Sequence, residues 1–461
     1  MKPLTINEIN QIVHGEFIEG PVNWQVSHAI LYGLHRLKWS HTLIFSERNI
    51  NWHNLKNFQP CAVVTDLPAD QIVPIEGITF IKVNHVMESY WKFVQYYRSL
   101  FDIPVIAVTG TCGKTTIKEM IKHILRVDRI VQATDGNWNL PVWSFGYLQN
   151  IDESTQAAVF ETAITHPGHL TRHCRYLEPT IGVFTNIGID HLDTCGSLEG
   201  YIQAKAELVK GLRKNGTLIL NGDDENIKKI ALDEFKGRVV YYSVSSSSPF
   251  QATEIHYAEM GMTFVLNHQG RQYHAFVPGY GDHQVYNALG AISACYELGV
   301  GVETSIKRLS TFKNFTRHLE LMSGLNDCTI LDDTWNTNPT SLNSALQVLH
   351  SIGKGKKNVA LLGDMMALGE FADEVHRQVA ELIIETKLDV LITIGEKARE
   401  IGKEAIRLNF GGKVYMYDDS FEGVREMLEE LLDQNTILLI KGSLYNPHFS
   451  NFAQGLRSNK N

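Results

Sequence analysis

The residues best suited to chemistry by type and spacing form one short segment bracketed by glycines, Thr109-Gly110-Thr111-Cys112-Gly113-Lys114-Thr115-Thr116. In such a segment the glycines let the backbone curl so that its N–H groups converge on an anion. Lys114 adds a positive charge, and Thr115 offers a hydroxyl to a magnesium ion. The segment predicts a phosphate-binding loop for a nucleoside triphosphate, in a shortened form because Val108 stands where the usual pattern has a glycine. The alternative is an ordinary strand-to-helix turn that contains glycines.

Glu161 and His191 are candidate metal ligands. Glu161 follows the apolar run 157–160, and His191 lies just past the apolar run 181–185. Because ligands gather at the carboxyl ends of parallel strands, both side chains are expected near the phosphate-binding loop. Together with the hydroxyl of Thr115 they would supply a magnesium site. Taken singly, either residue fits a solvated loop position equally well.

Lys205 is out of place in the apolar stripe of a helix predicted over 198–212. One explanation is that the side chain extends its ammonium to the surface. The other is that the amine is partly buried, which favours its neutral form. A neutral amine can react with carbon dioxide to give a carbamate, and a cation would then become a metal-binding anion. The apolar residues of the stripe are Leu198, Tyr201, Ile202, Leu208, Val209 and Leu212.

Polar residues further along the chain are candidates for contacts with a nucleotide. Asn287 lies one helical turn beyond His283 and is a candidate for contacting adenine. Arg317 precedes a predicted strand, and Asp333 lies where that strand ends, ahead of a helix that begins at Pro339. Asp333 is also compatible with a helix N-terminal charge or cap, and Arg317 with a surface ion pair.

Alternating strands and helices must position these residues. The apolar run 104–108 predicts a parallel strand buried on both faces, and the helix after the loop has an apolar face. This rhythm predicts a central phosphate-loop α/β domain over 101–312. Within it, the alternation over 254–277 predicts an antiparallel β extension.

The flanking regions predict two further α/β domains. Residues 1–100 contain short apolar runs and end in a predicted helix over 86–100, which indicates a small N-terminal α/β domain. Residues 313–461 repeat strand and helix and predict a Rossmann-like, doubly wound C-terminal domain. Its strands are expected at 329–331, 358–362, 390–394, 413–417 and 436–440.

Composition restricts the class of protein. The chain has 461 residues, of which 44% are hydrophobic and 20% charged, as in a soluble globular protein with more than one domain. A net charge of -9 argues against general nucleic-acid binding, since no basic excess exists to neutralise phosphates. The six cysteines form no Cys-x-x-Cys pair, which suits a reducing compartment. No apolar stretch of about 18 residues occurs, so a cytoplasmic protein without membrane insertion is expected.

Taken together, these residues resemble the Mur ligases, the ATP-dependent amide-bond-forming enzymes of peptidoglycan assembly, from about residue 101 to the C-terminus. Gly136-Asn137-Trp138-Asn139 is also similar to a family segment. The resemblance implies that Thr115, Glu161, His191 and a carbamylated Lys205 bind metal. It further implies catalytic roles for Lys114, Lys205, His191, Glu161 and Asn137, and ATP contacts for the loop residues, Asn287, Arg317 and Asp333 across an interdomain cleft.

Two longer motifs resemble one type within the family, the enzymes that add D-alanyl-D-alanine to UDP-N-acetylmuramoyl-tripeptide. They are Asp332-Asp333-Thr334-Trp335-Asn336-Thr337-Asn338-Pro339 and Gly363-Asp364-Met365-Met366-Ala367-Leu368-Gly369-Glu370 followed by His376. The sequence departs from that type mainly in residues 1–100, where Ser27-His28-Ala29-Ile30 replaces an Asp-Ser-Arg segment. Further departures are Ala163 for glycine, His169 for glutamate and Leu444 for arginine.

The resemblance implies an ADP-forming carboxylate–amine ligase that works through an acyl phosphate. It implies ATP, two magnesium ions and a lysine carbamate formed from carbon dioxide as cofactors. The partners would be small molecules, a UDP-muramoyl-peptide and an amine such as D-alanyl-D-alanine, bound by a monomer. The alternatives are a paralogue that joins another carboxylate and amine, and a non-catalytic nucleotide-binding protein. A small-molecule kinase is a less favoured alternative, because that function would not explain why a second domain contacts the nucleotide.

Overall fold

The computed structural model describes residues 1–32, 37–47, 52–418, 420–421, 423–443 and 445–458. Within these residues the strands form sheets of five, nine and six strands, together with a two-stranded ribbon. Helices cover the sheets, and the chain runs through them in order, so the fold consists of an N-terminal, a central and a C-terminal α/β domain. The predicted fold class is thereby confirmed.

The N-terminal domain is built on the sheet β2-β7-β6-β5-β4, in which all neighbours except β2 and β7 run parallel. The apolar runs of β5 and β6 are buried on both faces, as expected for interior parallel strands. Its elements are β1 (Leu4–Thr5), α1 (Ile6–Val13), β2 (Glu16–Glu19), β3 (Gln25–Val26), β4 (His28–Leu31), β5 (Thr42–Phe45), β6 (Cys61–Thr65), β7 (Ile78–Lys82) and α2 (Val86–Ser99).

The central domain has the strand order β16-β15-β14-β13-β12-β11-β8-β10-β9. Its strands are β8 (Val105–Thr109), β9 (Val131–Ala133), β10 (Ala157–Glu161), β11 (Ile181–Phe184), β12 (Thr217–Asn221), β13 (Arg238–Ser243), β14 (Phe250–Ala258), β15 (Gly261–His268) and β16 (Arg271–Pro278). Its helices are α3 (Lys114–Leu125), α4 (Ser144–Leu148), α5 (His169–Leu177), α6 (Leu192–Cys195), α7 (Leu198–Gly211), α8 (Asp282–Glu297) and α9 (Val302–Leu309).

The position of β8 in this sheet determines where the site lies. It runs parallel to β10 on one side and β11 on the other, so that Glu161 pairs with Val108 and Phe184 with Thr109. The carboxyl ends of these strands therefore meet at one edge, where the phosphate-binding loop begins. The predicted antiparallel extension is confirmed as β14, β15 and β16, which continue the same sheet after the parallel pair β13 and β14.

The C-terminal domain has the strand order β17-β18-β22-β19-β20-β21, and β17 alone among its described strands runs antiparallel to its neighbour. Neighbouring residues on β18 and β19 face opposite sides, because Leu331 and Ala360 join one apolar cluster while Ile330 and Val359 join another. Its elements are β17 (Glu320–Ser323), β18 (Thr329–Asp333), α10 (Pro339–Ile352), β19 (Lys357–Gly363), α11 (Ala372–Glu385), β20 (Val390–Ile394), α12 (Ala398–Arg407), β21 (Lys413–Tyr417), α13 (Val424–Leu431), β22 (Thr436–Lys441) and α14 (Pro447–Gly455).

The domains pack on one another to different extents. Aromatic residues of α2 share a buried cluster with Phe145, Phe160 and Tyr176 of the central domain. Contact between the central and C-terminal domains is narrower and includes Leu192, which joins a C-terminal apolar cluster. In the part of the chain that the structure describes, no helix has the length and apolar character needed to cross a membrane.

Candidate active site

The segment from Gly110 to Thr116 forms a tight loop between β8 and α3. The backbone angle φ is 143° at Gly110 and 81° at Gly113, values that residues other than glycine rarely adopt. A Cβ at Gly110 would lie 1.9 Å from Oγ1 of Thr185, and one at Gly113 would lie 2.4 Å from Oδ1 of Asn287. Both positions therefore require glycine for conformation, and a Cβ would in addition force the side chains of Thr185 and Asn287 to move.

The loop is supported by the segment that follows β11. The N–H of Cys112 donates to Oδ1 of Asn186 at 2.9 Å, and the N–H of Thr111 donates to the Asn186 carbonyl at 2.8 Å. Lys114 is the first residue of α3, and its ammonium donates to the Thr111 carbonyl at 2.8 Å. The unpaired N–H groups of the first turn of α3 and the nearby ammonium together favour binding of a phosphate.

Glu161 lies beside Thr115, as the sequence predicts. Its Oε2 accepts a hydrogen bond from Oγ1 of Thr115 at 2.7 Å, and its Oε1 accepts from Nδ2 of Asn139 at 2.6 Å. Only 2% of Glu161 is exposed. A hydroxyl and a carboxylate at this distance, next to a phosphate-binding loop, are the hard oxygen ligands that magnesium prefers.

His191 precedes α6 in the left-handed region, with a φ of 49°. Burial lowers the pKa of His191, and the positive charges of Lys205 and Lys114 act in the same direction, while Asp190 opposes them. The imidazole is therefore favoured in its neutral form, which is the form that coordinates a metal.

Lys205 is buried beneath the phosphate-binding loop, with 1% of the residue exposed. Its ammonium donates to the Gly110 carbonyl at 2.9 Å and lies 5.0 Å from the ring centre of Tyr201. Burial lowers the pKa of Lys205 well below its usual value, and the charge of Lys114 adds to the effect. Extension of the ammonium to the surface is excluded, whereas the conditions for a neutral amine are met.

The phosphate-binding loop separates two cavities, each also bounded by the C-terminal domain. One, named the Asn287 cavity, has a volume of about 400 Å³ and is lined by Asn287 and His283. The other, named the His191 cavity, has a volume of about 360 Å³ and is lined by His191, Glu161 and Asn137. Cys112, Gly113, Thr116 and Asp333 line both cavities. A nucleotide on the loop can thus extend its base into one cavity and its terminal phosphate into the other.

Of the two residues of the C-terminal domain that are predicted to contact the nucleotide, Asp333 lines the cavities and Arg317 does not. Asp333 lies between the two cavities, and its Oδ2 is 2.6 Å from the Lys441 ammonium. The guanidinium of Arg317 instead donates to the hydroxyl and carbonyl of Thr334 and lies 5.5 Å from the ring of Trp335. Among the described residues that line the two cavities, His318 is present and Arg317 is not.

Further residues at this site were not predicted as site residues. Asn139 holds Glu161, and Lys441 pairs with Asp333 because the two residues are in register on neighbouring strands. Asp190 accepts a bond from Nδ2 of Asn338 at 3.4 Å, across the interdomain cleft. Asn139 belongs to a segment already recognised, whereas the pairing of β18 with β22 has no local signal in the sequence.

The positions at which the sequence departs from the expected pattern fall in different surroundings. Ala163 lines the His191 cavity. His169 begins α5, and its ring centre lies 3.5 Å from that of His166 with the two rings tilted by 53°. Its pKa is lowered to about 4, first by burial and then by His166. Residues 28–31 form the edge strand β4 of the N-terminal sheet. Leu444 lies outside the described residues.

The oxygen atoms of Glu161 and Thr115 fit a magnesium ion for which other ligands complete the coordination. Among the described residues, no three His, Cys, Asp or Glu side chains are grouped so as to hold a metal on their own. The oxygens of Glu161 and Thr115 are nevertheless adjacent, and phosphate oxygens and water usually complete a magnesium site of this kind.

Comparisons with known proteins agree on one family. The Mur ligase middle domain matches residues 108–295, and the Mur ligase glutamate ligase domain matches residues 317–444. The UDP-N-acetylmuramoyl-tripeptide--D-alanyl-D-alanine ligase of Bacillus subtilis is 28% identical over 443 residues, which are 95% of each chain.

Solved structures show the same fold. MurF from Acinetobacter baumannii superposes with a TM-score of 0.85 and 23% identity, covering 98% of this chain and 99% of that one. MurF ligase from Thermotoga maritima, solved in complex with ADP, has a TM-score of 0.78 and 20% identity, covering 93% and 96% of the two chains.

Proposed function

Because the chain belongs to the Mur ligase family, we propose that it is an ATP-dependent, ADP-forming ligase that joins UDP-N-acetylmuramoyl-tripeptide to D-alanyl-D-alanine. The observation that carries this proposal is the phosphate-binding loop placed between two cavities, with Glu161 and His191 on one side. Relatives that match most of this chain carry the name of that ligase. Peptidoglycan synthesis and a cytoplasmic location follow from the same proposal.

The reaction follows from the chemistry of the site. Lys114 and the N-terminus of α3 bind the triphosphate, and Asn287 and Asp333 orient the nucleoside. A donor carboxylate in the His191 cavity attacks the γ-phosphorus, so that a new O–P bond forms and the bond to the β-phosphate oxygen breaks, releasing ADP. The amine of the second substrate then attacks the acyl phosphate carbon, an amide forms, and phosphate and a proton leave.

Thr115, Glu161 and His191 are proposed to hold magnesium, and a carbamate on Lys205 is proposed as a further ligand. When bound, magnesium neutralises charge on the phosphates and on the donor carboxylate. Support for the carbamate comes from the buried amine of Lys205, whose neutral form is favoured. Its Nζ now donates to the Gly110 carbonyl, so the carbamate requires a local rotation of the side chain.

Domain boundaries near residues 100 and 312 are part of the proposal. The N-terminal domain would comprise 1–100, the central ATP-binding domain 101–312 and the C-terminal domain 313–461. The first boundary falls between the end of α2 at Ser99 and the start of β8 at Val105. The second falls between the end of α9 at Leu309 and the start of β17 at Glu320.

Release of ADP from the purified protein tests the proposed function. The donors would be UDP-muramoyl-peptides and other carboxylic acids, and the acceptors D-alanyl-D-alanine and single amino acids. We expect sustained ADP release, beyond a single turnover of the enzyme, only when UDP-N-acetylmuramoyl-tripeptide and D-alanyl-D-alanine are both present. Turnover with a different pair would replace the substrate assignment by that of a paralogue, and nucleotide binding without any turnover would refute catalysis.

A further inference from the structure

Lys118 is a buried lysine that the proposed chemistry does not use. It lies on α3 one turn after Lys114, and none of its surface is exposed. Its ammonium donates to the carbonyls of Thr134 and Gly136, both at 2.8 Å, and lies 2.8 Å from Oε1 of Glu119. Burying a charge is costly unless it is paired and hydrogen-bonded, and here the ammonium has three acceptors for its three protons.

The carbonyls that accept from Lys118 belong to the loop over residues 134–140, named the asparagine loop, which leaves β9 and carries Asn137 and Asn139. Gly136 in this loop has a φ of 51°, and the N–H of Ala163 donates to the Asn139 carbonyl at 3.2 Å. The loop is thus fixed to α3 at one end and to the segment after β10 at the other. Both asparagines line the His191 cavity.

The same loop holds Glu161 in two ways. Oγ1 of Thr134 accepts a hydrogen bond from the N–H of Glu161 at 2.9 Å, and Nδ2 of Asn139 donates to its carboxylate at 2.6 Å. The other carboxylate oxygen accepts from Thr115, one turn before Lys118 on α3. Lys118 therefore closes a ring of contacts that runs from α3 through the asparagine loop to Glu161 and back to α3.

We propose that Lys118 is a positioning residue, which fixes the asparagine loop so that Glu161, Asn137 and Asn139 keep their places beside the phosphate-binding loop. The proposal rests on the proposed function, because it assigns Lys118 to that same site. Removing the ammonium leaves the buried Thr134 carbonyl without this donor, and the partly exposed Gly136 carbonyl turns to water instead, so the loop is released from α3. Partners that orient metal ligands typically change metal affinity or activity by about 10–100-fold when removed.

The variant Lys118→Met tests this inference, since it keeps the side-chain length and removes the donors. The matched control is Lys122→Met, on the next turn of the same helix, where Lys122 is 32% exposed and contacts the same Glu119 at 3.4 Å. Lys118→Arg retains the charge and is the second variant, so that a misfolded Lys118→Met protein does not end the test.

A readout without turnover is provided by Trp138, which lies in the asparagine loop, is 53% exposed and has its ring centre 4.8 Å from that of Trp143. Quenching of tryptophan fluorescence by acrylamide is measured in each protein with and without the additional substitution Trp138→Phe. The difference isolates the signal of Trp138 among the seven tryptophans. Binding of Mn²⁺ in the presence of a non-hydrolysable ATP analogue is followed by electron paramagnetic resonance. Neither measurement needs the donor substrate, so both remain valid if the substrate assignment fails.

We expect Lys118→Met to increase quenching of Trp138 and to weaken Mn²⁺ binding about tenfold or more, while affinity for the ATP analogue changes less than about threefold. Lys118→Arg should lie between Lys118→Met and wild type, and Lys122→Met should match wild type. Wild-type quenching and Mn²⁺ affinity in folded Lys118→Met would overturn the inference, as would equal effects of Lys118→Met and Lys122→Met. If Lys118→Met does not fold, wild-type values for Lys118→Arg would overturn it.

Discussion

Lys205 and Lys118 are both buried, yet only one of them could be predicted from the sequence. Lys205 interrupts the apolar stripe of α7, so periodicity alone places it on the inner face. Lys118 lies next to the apolar face of α3, at a position where a polar residue is not unusual. It is buried because the asparagine loop covers it. Burial caused by a distant loop leaves no local pattern, whereas burial caused by a helix face does.

The first prediction concerns Lys205. Lys205→Ala should reduce ADP release by about 100-fold or more, because it removes a proposed metal ligand beside the phosphate-binding loop. The matched control is Lys210→Ala, an exposed position on the same helix, which should retain wild-type activity. In wild type, [13C]bicarbonate should give a carbamate carbon signal that Lys205→Ala lacks, and adding bicarbonate should not restore the variant. Near-normal ADP release by Lys205→Ala would contradict the metal-bridging role.

The second prediction concerns Cys112, a partly buried thiol in the phosphate-binding loop whose Sγ lies 3.4 Å from Oδ1 of Asn338. Burial raises the pKa of Cys112, so alkylation by iodoacetamide should speed up as pH rises above the usual thiol range. ATP at about ten times its dissociation constant should slow alkylation of Cys112 about tenfold. Mass spectrometry of the labelled peptides measures both effects.

Cys195 is the internal control for that experiment. It is also partly buried and its pKa is also raised by burial, but it lies at the end of α6 and does not line either cavity among the described residues. Its alkylation rate should not respond to ATP. Equal protection of both cysteines, or none of either, would count against nucleotide binding on this loop.

At the scale of elements, the buried strands were predictable, whereas the edge strand β17 was not. The apolar runs of β8, β10, β18 and β22 mark interior parallel strands, and the structure has a strand at each. The edge strand β17, with the sequence Glu-Leu-Met-Ser, alternates between half-buried and exposed residues and offers no such run. Register is likewise unpredictable locally, since Lys441 reaches Asp333 only after β22 inserts between β18 and β19.

The third prediction concerns Asp223, which follows β12 and connects two walls of the Asn287 cavity. Its carboxylate accepts from the backbone N–H groups of Val244, Ser245 and Ser246 and from the hydroxyl of Tyr286 on α8. Partial burial alone would raise the pKa of Asp223, but these hydrogen bonds and that of the Ser246 hydroxyl outweigh it and lower the pKa to about 2. The ionised carboxylate therefore stabilises the folded state.

Because the pKa is lower in the folded than in the unfolded chain, this stabilisation is present above about pH 4 and is lost as pH falls towards 2. Asp223→Asn should lower stability by about 1 kcal/mol at pH 7, a modest value because the carboxylate is partly exposed. The difference in urea midpoint between variant and wild type should shrink between pH 4 and 2. Asp233→Asn, at an exposed aspartate, is the control and should show no such trend.

At the scale of the whole molecule, the N-terminal and central domains pack together through a shared buried cluster, and the C-terminal domain contacts the central domain separately. Trp91 of α2 stacks on Tyr176 of α5 with 4.1 Å between ring centres, and the buried guanidinium of Arg98 donates to the Leu177 carbonyl at 2.9 Å. Shared burial of this kind favours movement of the N-terminal and central domains together. The C-terminal domain meets the central domain through polar contacts, such as that of Asn338 with Asp190, and through a few apolar residues, of which Leu192 is the most buried.

The fourth prediction concerns Leu192, which follows the proposed metal ligand His191 and is 7% exposed. It shares an apolar cluster with Leu342, Met365 and Leu368 of the C-terminal domain, so docking of that domain also fixes the backbone that carries His191. Leu192→Ala should weaken docking by part of the roughly 2–5 kcal/mol that a buried leucine contributes. We expect a larger radius of gyration in small-angle scattering and a kcat lowered about tenfold or more, since small misplacements of reacting groups are costly.

Leu208→Ala is the matched control for this experiment, because Leu208 is fully buried in a cluster that lies within the central domain. It should lower thermal stability without changing the radius of gyration. ATP should partly reverse the expansion of the Leu192→Ala protein, because a nucleotide that contacts both domains binds the docked state more tightly than the open one. An unchanged radius of gyration together with an unchanged kcat for Leu192→Ala would show that docking of the C-terminal domain does not place His191.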